Sequence, residues 1–225
     1  MKKKIALLTA CLFLMSSAAF AAPLTDYESG KASIDLMVRS SKNTLSFADF
    51  DFDSKYNWEP SVTVGIADKW ALQYRNLNAK SGATDSSGYV IGIPYYGKAT
   101  AKLQASEFNV LYSLTPQVSA FIGYVSAKGN IYAENYIGPN IDASSSRTNT
   151  WQVGVLGNAP LAEKVSAYGV FGAGSKWLNY EIGLSYAFTE NVEFNVDYRY
   201  VKAKDLDEVD FRTKGFGFGV TYKFN

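Results

Sequence analysis

The chain has 225 residues, 22 of them basic and 21 acidic, with 16 Tyr, 14 Phe, 18 Gly and no histidine. Near-neutral charge argues against a nucleic-acid partner or a polybasic membrane-surface segment, and no compositional break divides the chain into two domains. Without histidine the commonest general base is missing, and a serine nucleophile without a base is weak near neutral pH, so hydrolase and acyltransferase chemistry is disfavoured.

Residues 1–21 read as a cleaved signal peptide. Lys2, Lys3 and Lys4 precede the apolar run "IALLTACLFLM", and "SSAAFAAP" follows with Ala19 and Ala21 as an A-x-A pair. The run is too short to span a bilayer as a helix, so export with cleavage after Ala21 is expected. "LTAC", Leu8 to Cys11, has the shape of a lipobox, but Cys11 lies inside the apolar core that a lipobox should end. Loss of Cys11 with the signal leaves no cysteine for a disulfide, and loss of the three lysines makes the mature chain slightly acidic.

Residues 22–225 read as one domain of strands. The first is expected at 31–46, followed by a polar segment, 47–55. There "DFDFDSKYN", Asp49 to Asn57, alternates aspartates as a calcium loop does. Ser54 stands where such a loop needs glycine and Pro60 where it needs glutamate, so the stretch reads instead as a strand rising above a membrane. Strands at 56–66 and 70–80 flank the short turn in "GIADKWALQY". A longer connection, 81–101, contains "GYVIGIPYY", apolar enough to suggest an extra hairpin. Strands at 102–114 and 118–127 meet at the turn in "YSLTPQVSAF", and a polar segment covers 128–146. Strands at 147–157 and 165–173 flank "APLAEKVSAY"; the glycines of "VSAYGVFGAG" blur the facing of the second. Strands at 177–188 and 192–203 meet in "YAFTENVEF", and after a last polar connection, 204–212, the final strand covers 213–224.

Short turns at one rim and long connections at the other suit a bacterial outer-membrane barrel with periplasmic turns. Four short turns plus both termini at one rim imply ten strands; a misread glycine-rich pair would give eight. The expected fold is therefore all-β: a transmembrane, antiparallel, up-and-down barrel without a soluble domain. The outward set spans nine positions from Trp58 to Ile66, Tyr180 to Phe188, Val192 to Tyr200 and Phe216 to Phe224, which matches the roughly 9–11 tilted residues that cross a bilayer core. Aromatic residues cluster at both ends of these spans: Trp58, Tyr180 and Tyr200 at the outer rim, and Trp70, Tyr186, Phe188, Tyr222 and Phe224 at the periplasmic rim. A soluble sandwich has no reason to carry such girdles.

By parity the lumen receives Asp35, Arg39, Glu59, Arg75, Glu107, Glu181, Glu193, Asp197, Arg199 and Lys223. Two readings stay open, a salt-bridged plug and a thin cation-favouring path for small ions or solutes. Glu193 and Asp197 lie four positions apart on one strand, about 13 Å, too far for shared acid–base work. No catalytic, cofactor or metal site is expected. The tyrosine-containing outer segments also suit a contact surface, so an adhesin acting through its loops is the alternative function.

The last strand, "GFGFGVTYKFN", carries a resemblance. Gly219, Tyr222 and Phe224 are similar to the C-terminal signal by which the barrel assembly machinery recognises its clients. The pattern departs in ending on Asn225 and in having Gly217 where a polar residue is usual. With the signal peptide and alternating strands, the whole mature chain resembles the porin-family small outer-membrane barrels of the OmpA or OmpX kind. That resemblance implies an outer-membrane location, the lipid bilayer and the assembly machinery as partners, and no single activity.

Overall fold

The computed structural model describes residues 27–46, 50–90 and 93–224; the expected signal peptide lies outside them. Its elements are β1 (Ala32–Leu45), β2 (Phe50–Asp51), β3 (Lys55–Ala67), β4 (Trp70–Lys80), β5 (Thr84–Val90), β6 (Ile93–Thr115) and β7 (Val118–Asn135). They continue as β8 (Ile141–Ser144), β9 (Thr148–Ala162), β10 (Val165–Gly174), β11 (Trp177–Ala187), β12 (Val192–Leu206) and β13 (Val209–Phe224). Ten of these close an antiparallel ring in the order β1-β3-β4-β6-β7-β9-β10-β11-β12-β13, with β13 returning to β1. The closing seam sets Ala32 opposite Phe224 and Leu45 opposite Phe211. Strands β2, β5 and β8 stand outside the ring, paired to β1, β6 and β7.

Period-two alternation produces these strands, and the turns follow local chemistry. At the tip between β12 and β13, Asp207 and Glu208 both have positive φ, 51° and 69°. Leu206 pairs with Val209 around them, the two-residue geometry whose twist matches that of the flanking strands. Among the described residues, register shifts fall only beside turns, between Gly65 and Ala67, Ser113 and Thr115, Val165 and Ser166, and Ala203 and Leu206. Facing is therefore preserved along each span.

The outer connections correct the sequence reading, because much of what reads as loop is strand. The extra hairpin suggested at "GYVIGIPYY" is present and longer than expected, with Thr84–Val90 paired to the start of β6; β7 continues to Asn135, and β12 and β13 run on to meet at the two-residue tip. The wall rises above the bilayer with polar residues facing water, so its outward positions carry the Lys and Asn that resemble a loop.

The outward face within the span is apolar: Trp58, Ile182 and Phe216 are 64%, 65% and 68% exposed. Toward the outer rim Tyr180 stacks on Tyr200 at 4.9 Å and Tyr124 meets Trp151 at 5.5 Å. Toward the periplasmic rim Trp70 lies 4.8 Å from Tyr112, Phe188 lies 5.9 Å from Phe194, and Tyr186 is exposed.

The interior is stratified. Its outer part is an apolar core that includes Leu45, Leu77, Leu103, Val125, Trp177, Val201, Leu206 and Phe211, with alanines from β4, β6, β7 and β12 between them. A charged layer lies below it. A smaller cluster of Tyr27, Ala71, Leu111, Phe121, Leu156 and Val170 lies toward the periplasmic turns. The apolar outer core extends the lumen reading, which placed only charges inward: once water replaces lipid outside, the strands bury apolar side chains as a soluble domain does.

Candidate functional site

The ten charges assigned to the lumen by parity are buried or half-buried, and seven of them form one connected layer. Arg39 on β1 donates from Nε to Glu59 Oε2 at 2.8 Å and through both Nη atoms to the Asp197 carboxylate, Nη2 to Oδ2 at 3.1 Å. Arg199 on β12 donates from Nε to Asn179 Oδ1 at 3.1 Å, from Nη1 to Glu59 Oε2 at 3.3 Å and from Nη2 to Glu107 Oε1 at 2.8 Å. Arg75 on β4 donates to Glu181 Oε2 at 2.5 Å, and Glu181 lies 3.8 Å from Arg199. Strands β1, β3, β4, β6, β11 and β12 are thereby tied together across the lumen.

The other three charges stand apart. Lys223 pairs with Glu193, which also accepts from Ser185 Oγ at 3.3 Å. Asp35 accepts from Ser61 at 2.5 Å and Thr221 at 2.6 Å. Glu193 and Asp197 thus belong to separate clusters, each with its own base.

Sequence reasoning missed the neutral groups that complete the layer. Gln152 Nε2 donates to Glu107 at 3.0 Å and to Asn109 at 2.9 Å, and Tyr168 OH donates to Asp197 Oδ2 at 3.1 Å. All share the inward parity of their strands, which was the available signal. Gly217 has a spatial role as well. It sits on β13 between Arg39 and Asp197 in register, and a Cβ there would meet Arg39 Nη1 and Asp197 Oδ1 at 2.9 Å. The glycine leaves room for the ion pair to cross over β13.

Arginines Arg39 and Arg199 and their partners Glu59, Glu107 and Asp197 are at most 4% exposed in their side chains. Charges so placed are tolerated only when paired and hydrogen-bonded, and losing one partner strands the others. The accompanying cavity, lined by Asp35, Arg39, Glu59, Arg75, Tyr168 and Glu181 among others, has a volume of about 50 Å³, room for a few waters. No group of three or more acidic, histidine or cysteine side chains that could hold a metal occurs among the described residues. Of the aspartate-rich segment, Asp49 lies outside the described residues, and Asp51 pairs with Lys42 at 2.6 Å and accepts from Thr44 at 2.6 Å.

In the last strand Gly219 faces inward against Leu36 and Met37 of β1, while Tyr222 and Phe224 face outward, their rings 4.7 Å apart.

The described strands form a closed, ten-stranded, antiparallel ring with an apolar outer belt and a charged interior, and the family model described as "Outer membrane protein beta-barrel domain" matches residues 7–224. The chain belongs to this outer-membrane β-barrel family. The barrel is therefore a transmembrane protein of the outer membrane. No curated protein matches the sequence. Among solved structures the barrel is similar to the outer membrane protease OmpT from Escherichia coli, with a TM-score of 0.58 and 10% identity, covering 86% of this chain and 96% of that one. It is also similar to Ail, the attachment invasion locus protein of Yersinia pestis, solved with the heparin analogue sucrose octasulfate, with a TM-score of 0.50 and 14% identity, covering 87% and 99%. At these identities the likeness is one of fold.

Proposed function

We propose that the protein is a closed, non-conducting outer-membrane barrel with a structural role in the envelope. The observation that supports this reading is the layered interior, in which the apolar core around Leu77, Leu103, Trp177 and Phe211 covers a layer of mutually paired charges. An ion crossing such a barrel would have to shed its water twice, once in the apolar core and once among charged side chains already paired with one another. A diffusion pore instead needs binding groups that are free to exchange. Glu193 and Asp197 each hold a base, which favours a structural over a catalytic role for them. The C-terminal Gly219, Tyr222 and Phe224 serve, in this reading, as the contact for the assembly machinery.

Single-channel recording of the refolded barrel in a planar bilayer tests the proposal. A flat trace is expected from folded protein. Reproducible steps whose cation preference falls in a Glu59→Gln, Glu107→Gln variant would replace the proposal with a pore.

A second reading, a contact surface at the outer rim, is favoured by one observation. Tyr96, Tyr136 and Ile137, at 57%, 53% and 71% exposed, crowd beside the outward-standing β5–β6 hairpin, with the two tyrosine rings 5.9 Å apart. Removing residues 84–96 should abolish adhesion to host cells while leaving the barrel folded, as its β-sheet circular dichroism would show; unchanged adhesion would end this reading.

A further inference from the structure

The outward face changes chemistry abruptly above the outer girdle. Along β12, Tyr198 and Tyr200 give way to Lys202 and Lys204. Along β13, Phe216 gives way to Lys214 and Arg212, and along β1, Val38 gives way to Ser40 and Lys42. These three strands are neighbours, and their register sets Lys42 opposite Lys214 and Lys202 opposite Arg212. Like charges directly opposed on an antiparallel pair destabilise a sheet, and two such pairs side by side make a positive field that a bound anion relieves.

The protein's own acids relieve it only partly. Lys42 reaches Asp51 at 2.6 Å and Lys202 reaches Asp210 at 3.0 Å, while Asp205 is taken by Lys176 at 3.0 Å. Among the described residues, Lys204, Arg212 and Lys214 have no carboxylate within 4.0 Å. Directly beneath them lies an aromatic floor: Tyr180 stacks on Tyr200 with rings 13° apart in tilt, and Tyr198 meets Phe216 edge-on at 5.1 Å. Among the described residues the periplasmic rim has no counterpart, because Asp68 and Lys69, Glu163 and Lys164, and Glu190 mix the two signs.

We infer that the outward face of β12, β13 and β1 binds the phosphate groups of an anionic lipid of the outer leaflet, with the acyl chains lying on the aromatic floor. Arg212 offers a fork for two phosphate oxygens, and Lys204 and Lys214 add point charges at headgroup depth. Aromatic rings below and cations above match the two ends of a lipid at the interface.

The test is a titration of the purified, detergent-folded barrel followed by native mass spectrometry, with three probes: bisphosphorylated lipid A, the same glycolipid without phosphates, and inorganic phosphate. The phosphorylated lipid should remain bound, and Arg212→Gln with Lys214→Gln should weaken it by roughly tenfold to thirtyfold, given the contribution expected of each basic residue at a membrane surface. Lys69→Gln with Lys164→Gln, on the opposite rim, should bind as the unaltered barrel does. Lys204→Gln with Lys214→Gln, both exposed, provides a second variant with the same expected loss should the first fail to fold. Equal retention of the phosphate-free lipid, or undiminished binding by a folded variant, overturns the inference. Occupancy by inorganic phosphate that displaces the lipid overturns the assignment to a lipid.

Discussion

The charged layer and the apolar outer core occupy the same barrel and share strands, yet they are held together differently. Strand β12 runs from Asp197 and Arg199 into Val201 and Ala203, and β6 runs the other way, from Leu103 and Ala105 into Glu107. Only the outside changes between the two levels. Where lipid surrounds the wall, burying apolar groups inside gains little, since the tails outside are equally apolar, and cohesion comes from packing and polar pairing. Where water surrounds the wall, burial of Leu, Phe and Trp is the dominant favourable term. One chain thus uses a membrane-protein interior and a soluble-protein interior end to end.

The largest effect expected from breaking this arrangement is in the charged layer. Arg39→Ala leaves Asp197 and Glu59 short of a partner in a buried site, and a loss of about 3–5 kcal/mol is expected in urea unfolding of the barrel in vesicles. A loss no greater than that of a surface ion pair would show that water reaches the layer freely. In the outer core, Leu103→Ala, fully buried, should cost about 2–4 kcal/mol by the same measurement. That loss should depend little on ionic strength, whereas that of Arg39→Ala should be the more sensitive of the two. Gly217→Ala is expected to cost about 1–3 kcal/mol, because the added methyl pushes apart the Arg39–Asp197 pair; combined with Arg39→Ala, much of this extra loss should vanish, as a double-mutant cycle would show.

The smallest effect belongs to the exposed tip. Asp207 accepts hydrogen bonds from the Ser146 backbone N–H at 2.7 Å and from its hydroxyl, and these hold its carboxyl below the usual carboxylate range. A depressed carboxyl contributes order above its unfolded value, about 3.9, and loses it as the pH falls through the lower folded value. Amide exchange at Ser146 should therefore quicken only below about pH 4, and Asp207→Asn should remove that pH dependence.

Much of this architecture is legible in the sequence, for identifiable reasons. Period-two alternation from Tyr180 to Tyr200 is interrupted only by the turn around Thr189, Glu190 and Asn191, and no bulge disturbs the span, so parity carries facing from Glu193 to Arg199 without a slip. Strand ends are less legible. The stretch from Val209 to Arg212 reads as a loop because Asp210 and Arg212 alternate with Val209 and Phe211 in a phase whose sense changes once the exterior is water. A single rule, large residues outward, cannot hold on both sides of that boundary, which is why the apolar outer core escapes a sequence reading. The pairings inside the lumen escape it for another reason: the Arg39–Asp197 contact spans 158 positions and depends on a glycine of an intervening strand.

The seam between β1 and β13 has a kinetic consequence. Its pairs join the first and last strands of the ring, Ala32 with Phe224, so closure has the longest sequence separation of any contact in the wall. Contacts of that order form late and slowly, since the chain entropy of the whole ring is lost before they contribute. Arg39 with Asp197 and Asp35 with Thr221 bring β1 to β12 and β13 across or beside this same seam. The interior therefore acts as a latch that sets only after the final strand arrives, and a chain lacking β13 should persist as an open, protease-sensitive sheet with its two edges exposed.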